Sequence, residues 1–297
     1  MNRTKIPWAD FTWNIITGCL GPHATPSLPG RCPYCYARKL ARGRLKKLYL
    51  SNSNVIPDGD PSDPFIPRFW PSRLTEPFTL KKPNKIFVCS MGELFSPYYP
   101  EHWLSCILYT IYKNPRHTFL LLTQNPAAAL RFRFPPNVWL GVTVTSGWDW
   151  PRVPLLLRSS AKVKFISFEP LLGDVFASPD QPAFSGFPYI DWVITGAQTR
   201  PTVLPKPAWV YLIIDAARHD GIPIFLKPNL HWPERIQEFP SKLTLARKVE
   251  SNPQISRRIL TKSGEISQEF RQPKAFLNDA NLSSSQGQHP NPLGRPQ

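Results

Sequence analysis

The sequence predicts an α/β fold whose predominantly parallel strands curl into a partial or complete barrel. Three observations predict it. Short unbroken apolar runs recur along the chain, as they do in strands covered on both faces. They stand roughly twenty to thirty residues apart, room for a strand–helix–strand crossover. The gaps hold helix-forming stretches with start and stop signals.

Phe11–Thr17 (FTWNIIT) reads as the first strand. The apolar runs that follow are Lys85–Cys89, Thr118–Thr123, Val138–Val144, Val163–Phe168, Ile190–Thr195 and Ile222–Lys227. Each is rich in Val, Ile, Leu or Phe. Helices are expected over Tyr34–Leu48, His102–Lys113, Ala127–Phe132, Pro151–Ser159 and Ala208–Asp220. The last stops at Asp-Gly before Ile-Pro. Residues 51–84, rich in Pro, Asp, Ser and Asn, form a long excursion pinned by Phe65, Phe69 and Trp70. Residues 174–189 are a second insertion. The barrel domain is expected to span 1–237, followed by a basic extension over 238–277 and a disordered tail over 278–297.

The chain has 297 residues, 36 of them proline, which predicts short elements and rigid connections. The formal charge of +16 favours an anionic partner, a nucleic acid or an anionic small molecule. The cations cluster from Arg31 to Lys47, a stretch without an acidic residue. Neither a helix-turn-helix nor an RNA-binding aromatic motif accompanies them, which argues against a sequence-specific regulator. Five cysteines, an odd and sparse set, argue against a disulfide scaffold. No signal peptide is read, and the apolar runs are too short to span a bilayer, so a cytoplasmic protein without a membrane partner is expected.

The chemistry is expected at the cysteines. Thr17–Lys39 reads TGCLGPHATPSLPGRCPYCYARK. Cys19, Cys32 and Cys35 offer three thiolates from one loop, enough for three irons of a [4Fe–4S] cluster. The fourth iron would then bind S-adenosylmethionine (SAM), and an electron donor would drive its reductive cleavage. The competing reading is zinc held by Cys19, His23, Cys32 and Cys35, with the basic helix contacting nucleic acid. A non-catalytic cluster is a third. Cys89 and Cys106 read as core residues. The carboxyl ends of the strands supply further candidates, because a barrel gathers its functional groups there. They are Thr123 and Gln124, Thr143, Glu169, Gln198 and Lys227. Glu169 is expected to orient a substrate, bind SAM or pair with Lys227. Asp10 and Asn14 read as turn and capping groups.

Several blocks carry a resemblance. They are Ile6–Cys19 (IPWADFTWNIITGC), Cys32–Ala37 (CPYCYA), Pro83–Phe95 (PNKIFVCSMGELF), Thr118–Pro126, Asn137–Val144, Phe165–Leu172, Asp191–Gly196 and Gly221–Lys227. Together they resemble the phage-type family of radical-SAM-like proteins first named from mycobacteriophage open reading frames. The resemblance implies a TIM-like radical SAM barrel and an enzyme that abstracts a hydrogen atom from an unidentified substrate. It also implies SAM binding by Ser90, Met91, Gly92 and Glu93, with Glu93 accepting from the amino group. The chain departs from the family pattern at Gln124, at Gly196–Thr199 (GAQT) and after Lys227.

Overall fold

The computed structural model describes residues 1–241 apart from 23, 28, 178–185 and 188. The expected tail, most of the extension and most of the 174–189 insertion therefore lie outside the described residues. Along the chain run β1 (Asn2–Arg3), β2 (Phe11–Trp13), β3 (Ile16–Thr17), α1 (Tyr36–Arg42), α2 (Lys46–Leu50), β4 (Arg68–Phe69), β5 (Lys85–Val88), α3 (Glu101–Tyr112), β6 (Thr118–Thr123), α4 (Pro126–Ala129), β7 (Val138–Thr143), α5 (Arg152–Arg158), β8 (Val163–Phe168), β9 (Trp192–Thr195), α6 (Pro207–His219) and β10 (Ile224–Leu226).

Eight strands form one sheet in the order β1-β2-β5-β6-β7-β8-β9-β10, parallel throughout except for β1 against β2. Each parallel strand is added on the same side of the one before it, so right-handed crossovers put the helices on one face. Ile107, Leu108, Val153, Leu156, Val210 and Ile213 from α3, α5 and α6 pack there with Leu121, Val142, Ile166 and Val193. The other face is closed by aromatic groups, with Trp8, Phe87, Phe165, Trp192 and Phe225 in one cluster. Gly141 leaves room for one of them, since a Cβ at that position would lie 2.4 Å from the Phe165 ring. Burial on both faces is why the strands read as unbroken apolar runs rather than as alternations.

The expectation of a complete barrel is corrected here. The ends of the sheet, β1 and β10, do not pair, and no closed barrel forms among the described residues. The fold is a mixed α/β sheet flanked by helices.

Two expected elements are split. The first strand leaves the main sheet after Trp13, because Asn14 turns the chain and its Oδ1 accepts from Met91 N and Ser90 Oγ. The chain then pairs as β3 with β4. The helix expected over 34–48 breaks at Gly43, whose N–H caps Lys39 O. The excursion is pinned as expected: Phe65 and Phe69 are buried, and Trp70 Nε1 donates to Thr17 Oγ1 at 2.8 Å. Its interior holds Arg68, fully buried, whose guanidinium donates to the carbonyls of Asn52, Asp63, Ile66 and Pro61. Four carbonyl acceptors are what make a buried guanidinium tolerable.

Candidate functional site

The carboxyl ends of β5 and β6 meet the end of β3 through two glycines. Gly18 N donates to Met91 O at 3.0 Å, and Glu93 N donates to Gly18 O at 3.3 Å. Gly18 has φ +89°, a left-handed conformation that favours glycine. A Cβ on Gly92 would stand 2.4 Å from Gly18 O. This close approach places Glu93 beside Cys19.

Glu93 is held from two strand ends. Its Oε1 accepts from Leu94 N and Phe95 N, both at 3.0 Å, and from Thr123 Oγ1 at 2.6 Å. Its Oε2 accepts from Gln124 N at 2.9 Å. Tyr99 Oη donates to the Glu93 carbonyl at 3.0 Å. Burial pushes the Glu93 carboxyl above its ordinary range, and the four donors oppose that shift. The carboxyl forms one wall of a cavity of about 330 Å³, also lined by Cys19, Ser96, Tyr99, Gln124 and Asn125. Among the described residues of that lining, Glu93 is the only carboxylate and there is no lysine or arginine.

A second group sits at the ends of β8 and β10. Glu169 accepts from Lys227 Nζ, and both side chains are largely buried. A Cβ on Gly196 would come within 2.9 Å of Lys227 and 3.2 Å of Glu169. The small residue between the two strand ends lets the pair close. Tyr36 joins the two groups by donating its hydroxyl to Ser90 O. Burial of that hydroxyl, with Glu169 nearby, holds the phenol above its ordinary range.

The other expected residues scatter. Ser90 is tied to Asn14, and Met91 packs with Ala37, Ala41, Tyr49 and Phe65. Thr143 is buried in β7, where its carbonyl accepts from Arg152 Nη1 at 2.7 Å. Gln198 closes its own loop, bridging to Val203 and donating to Pro201 O at 3.2 Å. Asp10 accepts from Lys85 N, the structural role expected of it. Cys89 is buried, and Cys106 packs against the core.

The three loop cysteines lie at this end of the sheet, but each is engaged locally. Cys19 Sγ accepts from Gly21 N at 3.2 Å. Cys35 caps α1, accepting from Arg38 N at 3.4 Å. Cys32 Sγ donates toward Gln124 Oε1 at 3.7 Å. Burial pushes the Cys19 and Cys35 thiols up, away from the thiolate form that ligates metals. Among the described residues no group of three or more His, Cys, Asp or Glu side chains could hold a metal ion. That finding overturns the [4Fe–4S] cluster on Cys19, Cys32 and Cys35. SAM at an open iron, radical SAM catalysis and the non-catalytic cluster fall with it, as does zinc among the described residues. His23, the fourth ligand of the zinc reading, lies outside them.

Tyr99 and Ser96 were not anticipated. The signal was the Ser-Pro-Tyr-Tyr run that follows Glu93, Leu94 and Phe95, which carries polar and aromatic groups past a strand end. Among the described residues no helix is long and apolar enough to cross a membrane.

Fold and site define a mixed α/β protein with a polar cavity at the carboxyl edge of its sheet. A family model described as a protein of unknown function (DUF5131) matches residues 3–252, and the chain belongs to that family. No curated protein and no solved structure matches it.

Proposed function

We propose that the chain binds a small amine-bearing molecule in the cavity beside Glu93. The observation that supports this reading is the placement of that carboxylate. Three donors occupy Oε1 and one occupies Oε2, so Oε2 keeps lone-pair capacity for a ligand N–H. Four fixed donors also pre-orient the group, which lowers the cost of ordering it on binding. A volume of about 330 Å³ suits a compact molecule rather than a polymer segment. An ammonium group placed there would answer the only carboxylate of the described lining. Gln124 and Asn125 would take the ligand's remaining polar groups.

The test is ligand-observed NMR on the full chain, using a panel of primary amines and their neutral hydroxyl isosteres. Saturation transfer to amines, absent for the isosteres and lost in Glu93→Gln of unchanged circular dichroism, is the expected result. Equal transfer to amines and isosteres would overturn the reading.

A further inference from the structure

The motif Cys32-Pro33-Tyr34-Cys35 is unexplained by the cavity, and its geometry points to a chemistry of its own. Cys35 N donates to Cys32 O at 3.3 Å, closing a four-residue turn over Pro33 and Tyr34. Proline at the second position presets the backbone of such a turn. A turn of this kind holds its end Cα atoms within about 7 Å, overlapping the span a disulfide bridges. Both cysteines are partly exposed, so a small oxidant can reach them. Cys32 makes a long thiol contact to Gln124, which is readily given up. Cys35 sits at the start of α1, fixed by Arg38 N.

We propose that Cys32 and Cys35 form a redox-active dithiol that closes to a disulfide by exchange with a low-molecular-weight disulfide. The Cys32 thiolate attacks one sulfur of that disulfide. The S–S bond of the oxidant breaks, one thiolate leaves, and a mixed disulfide forms on Cys32. Cys35 Sγ then attacks Cys32 Sγ as its proton passes to the leaving group, and the second small thiol leaves. Two electrons pass from the protein dithiol to the small disulfide, and the two protons end on the two released thiols. Cys19 stays outside the exchange, since it lies outside the four-residue turn that joins the pair and its Sγ accepts from Gly21 N. The proposal stands independently of amine binding.

The test equilibrates the reduced full chain with mixtures of reduced and oxidised glutathione. After acid quench, free thiols are capped with a maleimide and counted by intact mass. The five thiols of the chain should fall to three, and peptide mapping should find Cys32 joined to Cys35. Closure should need about tenfold less oxidised glutathione than the adduct on Cys106, because its second step is intramolecular. Cys32→Ser and Cys35→Ser should each take up one glutathione instead of losing two thiols. The proposal is overturned if Cys32 and Cys35 both stay free where Cys106 is already modified, or if mapping joins Cys19 to either partner. Mapping of the wild-type chain decides alone, so a poorly folding variant does not blunt the test.

Discussion

Replacing Gly92 by alanine tests whether the junction of the two glycines builds the site. The added Cβ would lie 2.4 Å from Gly18 O, 3.0 Å from Gly18 N and 3.2 Å from Thr17 C. All three are backbone atoms, so no flexible side chain can yield. The strands must part, and the bonds Gly18 N to Met91 O and Glu93 N to Gly18 O go with them. Two such bonds contribute about 1 kcal/mol each. Overpacking at a rigid contact costs about 1–3 kcal/mol. Some of that strain is relieved as the bonds break, which places the loss at about 3 kcal/mol, roughly a hundredfold in the unfolding equilibrium. Urea denaturation measures it, with Gly43→Ala as the control. There the nearest atom to a new Cβ is Lys39 O at 3.2 Å, at a helix end that can adjust. The control should stay within about 1 kcal/mol of wild type. A Gly92→Ala chain as stable as the control would refute the account of how Glu93 is brought to Cys19.

Arg68→Met should destabilise by about 3–5 kcal/mol, since it strips four carbonyls of their buried donor, and should open residues 51–84 to limited proteolysis first. Unchanged cleavage there would show that the excursion is held by its aromatic groups alone. For Glu169 and Lys227, a double-mutant cycle with Glu169→Gln and Lys227→Met should return a coupling of about 1–3 kcal/mol; zero coupling would mean that solvent screens the pair. His117 is buried with Nε2 3.3 Å from Pro77 O, and burial holds its imidazole below the ordinary 6.5. Its folded-state value is depressed, so the unfolded chain takes up the proton first. The stability it contributes is full above about 6.5 and is lost as pH falls through the lower, folded-state value. His117→Phe should flatten that part of the urea-midpoint profile between pH 7 and 5, and parallel profiles would contradict the assignment.

The sheet was legible because each parallel strand is buried on both faces, which leaves an apolar run with little to mimic it. Thr118–Thr123 and Val163–Phe168 emerge with the expected bounds for that reason. Whether such strands close a barrel depends on the pairing of β1 with β10, a long-range fact that no local run encodes. Asn14 shows a subtler limit: FTWNIIT has strand composition throughout, and only the tertiary bonds to Ser90 and Met91 reveal that its middle is a corner. Within the site, Glu93 and Gln124 were expected from different signals, a resemblance and a strand end, and the fold brings them to one cavity. The cysteines teach the opposite. A spacing of thiols along the chain says what a loop could ligate if its side chains converged, but convergence is decided by what else competes for each sulfur. Gly21 N, Arg38 N and Gln124 Oε1 take those positions, none of them visible as a competitor in the sequence. The local constraint that survives is the turn between Cys32 and Cys35, because four residues with a proline at the second position bring their ends together whatever the rest of the fold does. Two-thiol chemistry needs no more than that turn.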